Sequence, residues 1–237
     1  MPSTPTLALK PLVIYGAAGH AKVVFDIVEK QGVYQIMSVL DRYKPNGTPC
    51  GPRLVSGTME DLPEMHRATP SLEVIVAIGD NWARARISGE IRNLCPDSRF
   101  GIAIHPAAQI GRNVIIGRGT VIMAGAVVNP SASVGQGCIV NTRASLDHDS
   151  VMGSYSSLGP AAAIGGAVRI GPYSSIGIGA SVIQEINIGE HVVIGAGAAV
   201  IRDIPDCVVA HGVPAVVRHA RHAGERYLGN ITAGVSR

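Results

Sequence analysis

The sequence predicts two joined architectures, a small parallel α/β domain over residues 1–103 and a parallel β-helix over 104–205, closed by a tail at 206–237. Three observations predict them. From Ile104 to Val200 every sixth residue is aliphatic or Met, in 17 of 17 positions. Ahead of that ladder, short apolar runs alternate with helical patterns, as in a parallel α/β sheet. The chain is 46% hydrophobic but only 4% aromatic, with 29 Gly among 237 residues, which suits a narrow core that excludes rings.

A helix repeats at 3.6 residues and a strand at 2, so a strict six demands a different element. A hexapeptide array marks a parallel β-helix. Each hexad supplies one short strand and a turn, with the aliphatic side chain inward. A small residue four positions on (Ala108, Ala126, Ala144, Ala162, Ala180, Ala198) is placed to fill the corner. Ten of the 17 residues following the ladder positions are Gly, expected to take turn conformations that a Cβ obstructs. Three hexads close one triangular coil, so the ladder makes just under six coils, roughly 27 Å tall at about 4.8 Å per coil.

In the first domain, residues 12–15 read as a buried strand leading into Gly16-Ala17-Ala18-Gly19-His20-Ala21. A helix runs to about Gln31, with Val23, Val24, Ile27 and Val28 on one face and Gly32 as its stop. A second strand ends at Val39-Leu40, before Asp41-Arg42, and residues 44–52 are loop. Thr58 to Asp61 is a capped helix start. Glu73 to Ile78 forms a third strand ending in Gly79-Asp80-Asn81, and a second helix carries Ile87, Ile91 and Leu94 in phase. Phe100 to Pro106 joins the two domains.

The glycine turn at 16–19 can hold a phosphate on backbone N–H groups, and an acid such as Asp41 at the end of the second strand can bind a ribose hydroxyl. The turn has fewer glycines than G-x-G-x-x-G, and a tight strand-to-helix turn without a ligand explains it equally well. Three loops converging at the carboxyl edge (16–20, 41–42 and 79–81) favour a Rossmann-like nucleotide site.

A net charge of +3 gives no case for nucleic-acid binding or membrane targeting. No apolar run is long enough to span a bilayer, and residues 1–11 lack the apolar core of a signal peptide. Cys50, Cys95, Cys138 and Cys207 have no CxxC spacing, so reduced thiols in a cytoplasmic protein are expected and no metal site. The tail should turn back over the last coil and cap its strand edges. Its basic residues, Arg218, His219, Arg221, His222 and Arg226, read as a solvated face, with phosphate contact as the alternative.

The ladder's largest departure is Asn141 to Ser150, where Asn141 and Asp147 replace the turn Gly and His148 stands between two acids. Eighteen residues beyond His148 lies Gly166, so the imidazole should stack on a Gly of the outer wall. An outward His is often only a surface residue. Flanked by Asp147 and Asp149, this one is a candidate base, because a neighbouring carboxylate holds one tautomer and raises the basicity of the other nitrogen.

Several stretches together resemble the sugar-modifying acetyltransferases with left-handed β-helices, which include the bacillosamine, viosamine and perosamine N-acetyltransferases and sialic acid O-acetyltransferases. They are Tyr15 to Lys22, Ala77 to Asn81, Ile104-His105-Pro106, Asn141-Thr142 leading to Asp147-His148-Asp149, Ala163 to Gly166, and Gly212 to Ala215. The resemblance covers nearly the whole chain and supplies the left hand, which periodicity does not show. It implies a homotrimer, acetyl-CoA as co-substrate with no permanently bound cofactor, and transfer to the amine of a nucleotide-linked 4-amino-4,6-dideoxy sugar. Ala77 to Asn81 and Leu158 to Ala161 look most like the perosamine type, pointing to a GDP-linked sugar. By the same resemblance His148 is the general base and Asp149 its partner. Ala18, Gly19, His20, Asp41, Arg42, Gly79 and Asn81 contact the nucleotide sugar, and Ser157, Gly166, Ile178 and Pro214 contact acetyl-CoA. Ser157 stands where several members carry a second His. Two alternatives remain: O-acetylation of a sialic acid-like sugar, which needs the same base, and a non-catalytic β-helix binding module, which leaves the Asp-His-Asp run without a reason.

Overall fold

A computed structural model describes residues 8–228. The first domain is a four-stranded sheet in the order β2-β1-β5-β6, formed by β1 (Lys10–Tyr15), β2 (Tyr34–Leu40), β5 (Glu73–Val76) and β6 (Arg99–Phe100). Its pairings are all parallel. The end of the 44–52 loop and the two residues after it form a small hairpin of β3 (Pro49–Cys50) and β4 (Arg53–Leu54). Helix α1 (Gly19–Gln31) stops at Gly32, which takes φ 66° and donates its N–H to Val28. Its buried face is Ala21, Val24, Phe25, Ile27 and Val28, whereas Val23 points outward. Phe25 takes the place expected for Val23 because it lies one turn beyond Ala21 and one turn before Val28, whereas Val23 falls on the other side of the helix. The capping box expected at Thr58 is present, with Asp61 as its partner, and leads through a short 3-10 turn into α2 (Leu62–Ala68).

Helix α3 (Asn81–Leu94) departs from its expected face. It buries Asn81, Arg84, Ile87, Ser88 and Ile91, while Leu94 is exposed at the C-terminal end. Three of these five are polar, because the stripe covers backbone carbonyls at the domain seam as well as apolar side chains.

The β-helix consists of seventeen two-residue strands, β7 (Ala103–Ile104) to β23 (Ala199–Val200), each ending on one ladder residue. Parallel pairing is in steps of 18 residues throughout, for example Ile122↔Val140 and Val140↔Leu158. Three walls result. Wall one runs β7-β10-β13-β16-β19-β22, wall two β8-β11-β14-β17-β20-β23, and wall three β9-β12-β15-β18-β21. The core is the stacked ladder plus the small corner residues, of which Ala126, Ala144, Ala162, Ala180 and Ala198 are fully buried.

The ladder glycines hold their places for a reason other than the one expected. Left-handed turn conformations fall three residues after the ladder position and are often occupied by other residues, such as Asn113, Arg143, Asp149 and Tyr173. The Gly directly after the ladder residue keeps negative or extended φ. A Cβ on Gly117 would stand 2.4 Å from the backbone N of Gln136 in the next coil. Close stacking of coils, not backbone handedness, excludes a side chain there.

The α/β domain sits on wall one. Ala103, Val121 and Ile139, whose side chains face outward from that wall, are buried against α1 and the sheet in one shared cluster. The seam is fastened by Arg84, which is 1% exposed. Its Nε donates to the Gly137 carbonyl at 2.6 Å, Nη1 to the carbonyls of Ile78 and Gly79 at 2.9 Å each, and Nη2 to Asn81 Oδ1 at 2.6 Å. Carbonyl dipoles thus replace a carboxylate partner, and burial pulls the guanidinium pKa down from its ordinary value.

After β23 the chain adds β24 (Val208–His211) in parallel to wall one, then β25 (Val216–Ala220) antiparallel to it. The edge is capped as expected, but the tail goes further. Residues 221–228 run back along wall one to the α/β domain, where the Tyr227 hydroxyl lies 3.5 Å from Ser157 Oγ and Leu228 approaches Gly79. No helix among the described residues is long and apolar enough to cross a membrane.

Candidate active site

Two separate constructions carry chemistry. The first is built at the carboxyl edge of the sheet, where β1 is flanked by β2 on one side and β5 on the other. The loops after β1 and β5 therefore part at a topological switch point, the usual place for a nucleotide. Gly16 takes φ 104° and lies so close to the Ala77 carbonyl that a Cβ would stand 3.1 Å from it. Ala18 caps α1 without a side-chain bond, so N–H groups of the first turn are left open for an anion. These loops enclose a cavity of about 250 Å³ lined by Ala18, His20, Asp41, Arg42 and Gly79, among others.

Five of the seven residues expected at a nucleotide sugar thus share one cavity. Gly19 opens α1 beside it. Asp41 has a different primary duty: its Oδ2 accepts the Ala17 N–H at 2.8 Å, and its Oδ1 accepts the N–H groups of Tyr43 and Lys44 at 2.8 and 3.1 Å. It ties the glycine turn to the second loop. Asn81 does not line this cavity. It is fully buried, and its Nδ2 donates to Ser157 Oγ at 3.1 Å and to the carbonyls of Ser174 and Tyr173 at 3.0 and 3.3 Å. It is a strut between the domains, because it starts α3 on the side that faces the seam, while Ala83, Arg86 and Ile87 of the same helix line the cavity. His20 Nε2 is buried without a partner, and desolvation, aided by Arg84, lowers its pKa to about 4, so the ring is neutral at physiological pH.

The second construction is the turn between β14 (Ser145–Leu146) and β15 (Val151–Met152), where walls two and three meet. Asp147 Oδ1 accepts Asn129 Nδ2 at 2.6 Å from the coil before and the His148 backbone N–H at 2.7 Å. This bracket holds the turn. His148 Nδ1 lies 2.8 Å from Asp149 Oδ2. The hydrogen bond to Asp149, then the charge of Asp147, raise the imidazole pKa above its ordinary 6.5. With Nδ1 donating to Asp149, Nε2 keeps its lone pair. The ring lies over Gly166 as the 18-residue stacking predicts; a Cβ on Gly166 would stand 2.8 Å from His148 Nε2. His148, Gly166, Gln184 and Glu185 line an open cleft of about 290 Å³.

The two constructions do not meet within one chain. The α/β domain covers wall one, and His148 occupies the opposite edge of the prism, so no described cavity contains both His148 and a residue of the first domain. The residues expected at acetyl-CoA are divided likewise. Ser157 and Ile178 line a cavity of about 540 Å³ on wall one with Tyr227, Gly166 lies under His148, and Pro214 sits in the loop before β25.

Residues 11–91 match the family described as the PglD N-terminal domain. PerB from Caulobacter crescentus, solved with CoA and GDP-perosamine, is 37% identical, with a TM-score of 0.81 over 90% of this chain and 100% of that one. The acetyltransferase domain of PglB from Neisseria gonorrhoeae FA1090 is 34% identical, with a TM-score of 0.78 over 88% of this chain and 100% of that one. The chain belongs to the PglD-type β-helix family of acetyl-CoA-dependent sugar N-acetyltransferases. A UDP-N-acetylbacillosamine N-acetyltransferase of Bacillus subtilis (strain 168) is 37% identical over 116 residues, spanning 49% of this chain and only about half, 52%, of that curated relative. The PglB domain has also been solved with acetyl coenzyme A, at 33% identity and a TM-score of 0.79.

Within this acetyltransferase family member, sequence reasoning missed Arg84 and the tail contact through Tyr227. Arg84 had a readable signal, since it stands three residues before Ile87 and seven before Ile91, on the apolar stripe of α3. The path of the tail had none, because its contacts cross from residue 227 to residue 157. His191, read as a late-turn residue, is buried and stacks on Tyr173 with ring centroids 4.6 Å apart.

Gly166 offers a test of the stacking. Its backbone does not require glycine, and the obstruction is the free end of an exposed side chain. Gly166→Ala should therefore swing His148 away at little cost to folding. We expect the thermal midpoint to stay within about 2 °C of wild type and kcat/KM to fall by about 10²-fold, in proportion to the imidazole's displacement. Equal losses of stability and activity would show that Gly166 serves the coil and not the placement of His148.

Proposed function

We propose that this protein transfers the acetyl group of acetyl-CoA directly to the amine of a nucleotide-linked 4-amino-4,6-dideoxy sugar, with a GDP-linked sugar favoured. The observation that carries this reading is the His148–Asp149 pair at 2.8 Å, stacked over Gly166 on an otherwise regular ladder. The amine attacks the thioester carbonyl, His148 Nε2 takes its proton, and the tetrahedral intermediate collapses with departure of the CoA thiolate, which then takes up a proton. Asp149 fixes the tautomer and stabilises the imidazolium. Among the described residues the Gly166 N–H has no acceptor, which suits it to the developing oxyanion. No acyl-enzyme is invoked. Cys138 is buried at 0% exposure, and burial pushes its thiol pKa up.

The neutral His20, the open amides of α1 and Arg42 support a diphosphate in the first cavity. The preference for GDP rests on PerB, which was solved with GDP-perosamine. Because the cavity and His148 lie on opposite sides of one prism, the working site is read as shared between protomers of a homotrimer, with the cavity of one facing the His148 edge of the next.

Thiol release from acetyl-CoA should be measured against UDP-, dTDP- and GDP-linked 4-amino sugars and their 4-hydroxy counterparts. Turnover is expected with the amino sugars and greatest with GDP-perosamine. Turnover confined to a hydroxy sugar would overturn N-acetylation.

A further inference from the structure

The tail ends its described course in an unexpected place. Three consecutive residues touch both cavities: Arg226 lines the nucleotide cavity, while Tyr227 and Leu228 line the wall-one cavity beside it. The path is held firmly upstream. Arg221 is 6% exposed, and its Nη1 donates to the His191 carbonyl at 2.9 Å while Nη2 donates to the Glu225 carbonyl. The His222 N–H donates to Glu225 Oε2 at 3.0 Å, closing a turn. Gly224 then passes against the Trp82 indole, where a Cβ would stand 2.7 Å from Nε1. A buried arginine, a closed turn and a glycine pressed on an aromatic ring together fix where Arg226 emerges.

Charge shows what Arg226 adds. Four ionised side chains line the nucleotide cavity: Asp41, Arg42, Arg86 and Arg226. Arg42 and Arg86 are both paired with Glu90 of α3. Asp41 and Glu90 therefore balance Arg42 and Arg86, and the cavity's surplus positive charge is that of Arg226, which has no carboxylate partner among the described residues. A guanidinium without a carboxylate partner, lining the same cavity as the first residues of α1, matches a dianionic diphosphate.

We propose that Arg226 is a nucleotide-binding residue, delivered by the C-terminal segment 221–228 to the diphosphate of the sugar nucleotide. This rests on the reading of the first cavity as a nucleotide site. The tail thereby becomes a third wall of that site in addition to a cap for the β-helix. Arg226 acts on binding alone, since it addresses the diphosphate and not the amine that reacts.

Binding of GDP, UDP and dTDP to the full chain should be measured by calorimetry for wild type, Arg226→Lys, Arg226→Ala and Arg226→Glu. The Ala variant should bind the preferred nucleotide about tenfold more weakly, Glu more weakly still, and Lys should recover part of the loss. In turnover, Arg226→Ala should raise KM for the sugar nucleotide, with kcat and the KM for acetyl-CoA unchanged. Unaltered nucleotide binding by Arg226→Glu would overturn the proposal alone. Failure of the wild type to bind any of the three nucleotides would overturn the reading of the cavity, and this proposal with it.

Discussion

Replacing His148 with Asn should lower kcat/KM by about 10²–10⁴-fold, the usual range for loss of a positioned base. The thermal midpoint should barely move, because the side chain is 61% exposed and the turn is held by Asp147 through backbone and cross-coil bonds. Retention of most of the turnover by His148→Asn would remove the base assignment. The pH dependence follows from the same geometry. Only the neutral imidazole accepts a proton, so kcat/KM falls as pH drops through the His148 pKa, which Asp149 and Asp147 hold above 6.5. Asp149→Asn removes the hydrogen-bonded charge and should move that acid limb down towards 6.5. The turn should survive the change, because Asp149 takes φ 58°, a conformation that Asn also tolerates. An acid limb that stayed in place in Asp149→Asn would show that another group governs it.

The second expectation concerns pairs of chains. A His148→Ala protomer keeps its nucleotide cavity, and an Ala18→Glu protomer keeps its base but places a carboxylate at the phosphate end of α1. Each should be nearly inactive alone. On the proposed homotrimer, co-expression gives mixed trimers in which a quarter of the interfaces join an intact base to an intact cavity, so activity should return to about one quarter of wild type. A mixture as inactive as its components would mean that the base and the cavity serve one another within a single chain, contrary to the positions of wall one and the His148 edge. The experiment is informative because the change is from almost nothing to a substantial fraction, and neither substitution lies in the core.

Much of the fold was legible before any coordinates. The ladder from Ile104 to Val200 became seventeen strands in the predicted register, since side chains that repeat every sixth residue can bury together only in a coil of that period. Gly32 and Thr58 read correctly because they act within one turn of their own positions. Where reasoning failed, the deciding partner was far away in sequence. Asn81 looked like a loop residue at the site, yet its amide is consumed by Ser157 and Ser174. Leu94 was in helical phase but reached past the surface it should have covered.

The sequence by itself determined the period, the register of coils, and hence the stacking of His148 on Gly166, because these follow from local geometry repeated without slippage. Tertiary structure alone decided which wall carries the α/β domain, that Arg84 and Asn81 would be spent on the seam, and that the tail would return to the cavity at the carboxyl edge of the sheet. Those outcomes depend on carbonyls and side chains brought together from over 50 residues apart, as for Arg84 and Gly137, whose energies no local pattern encodes.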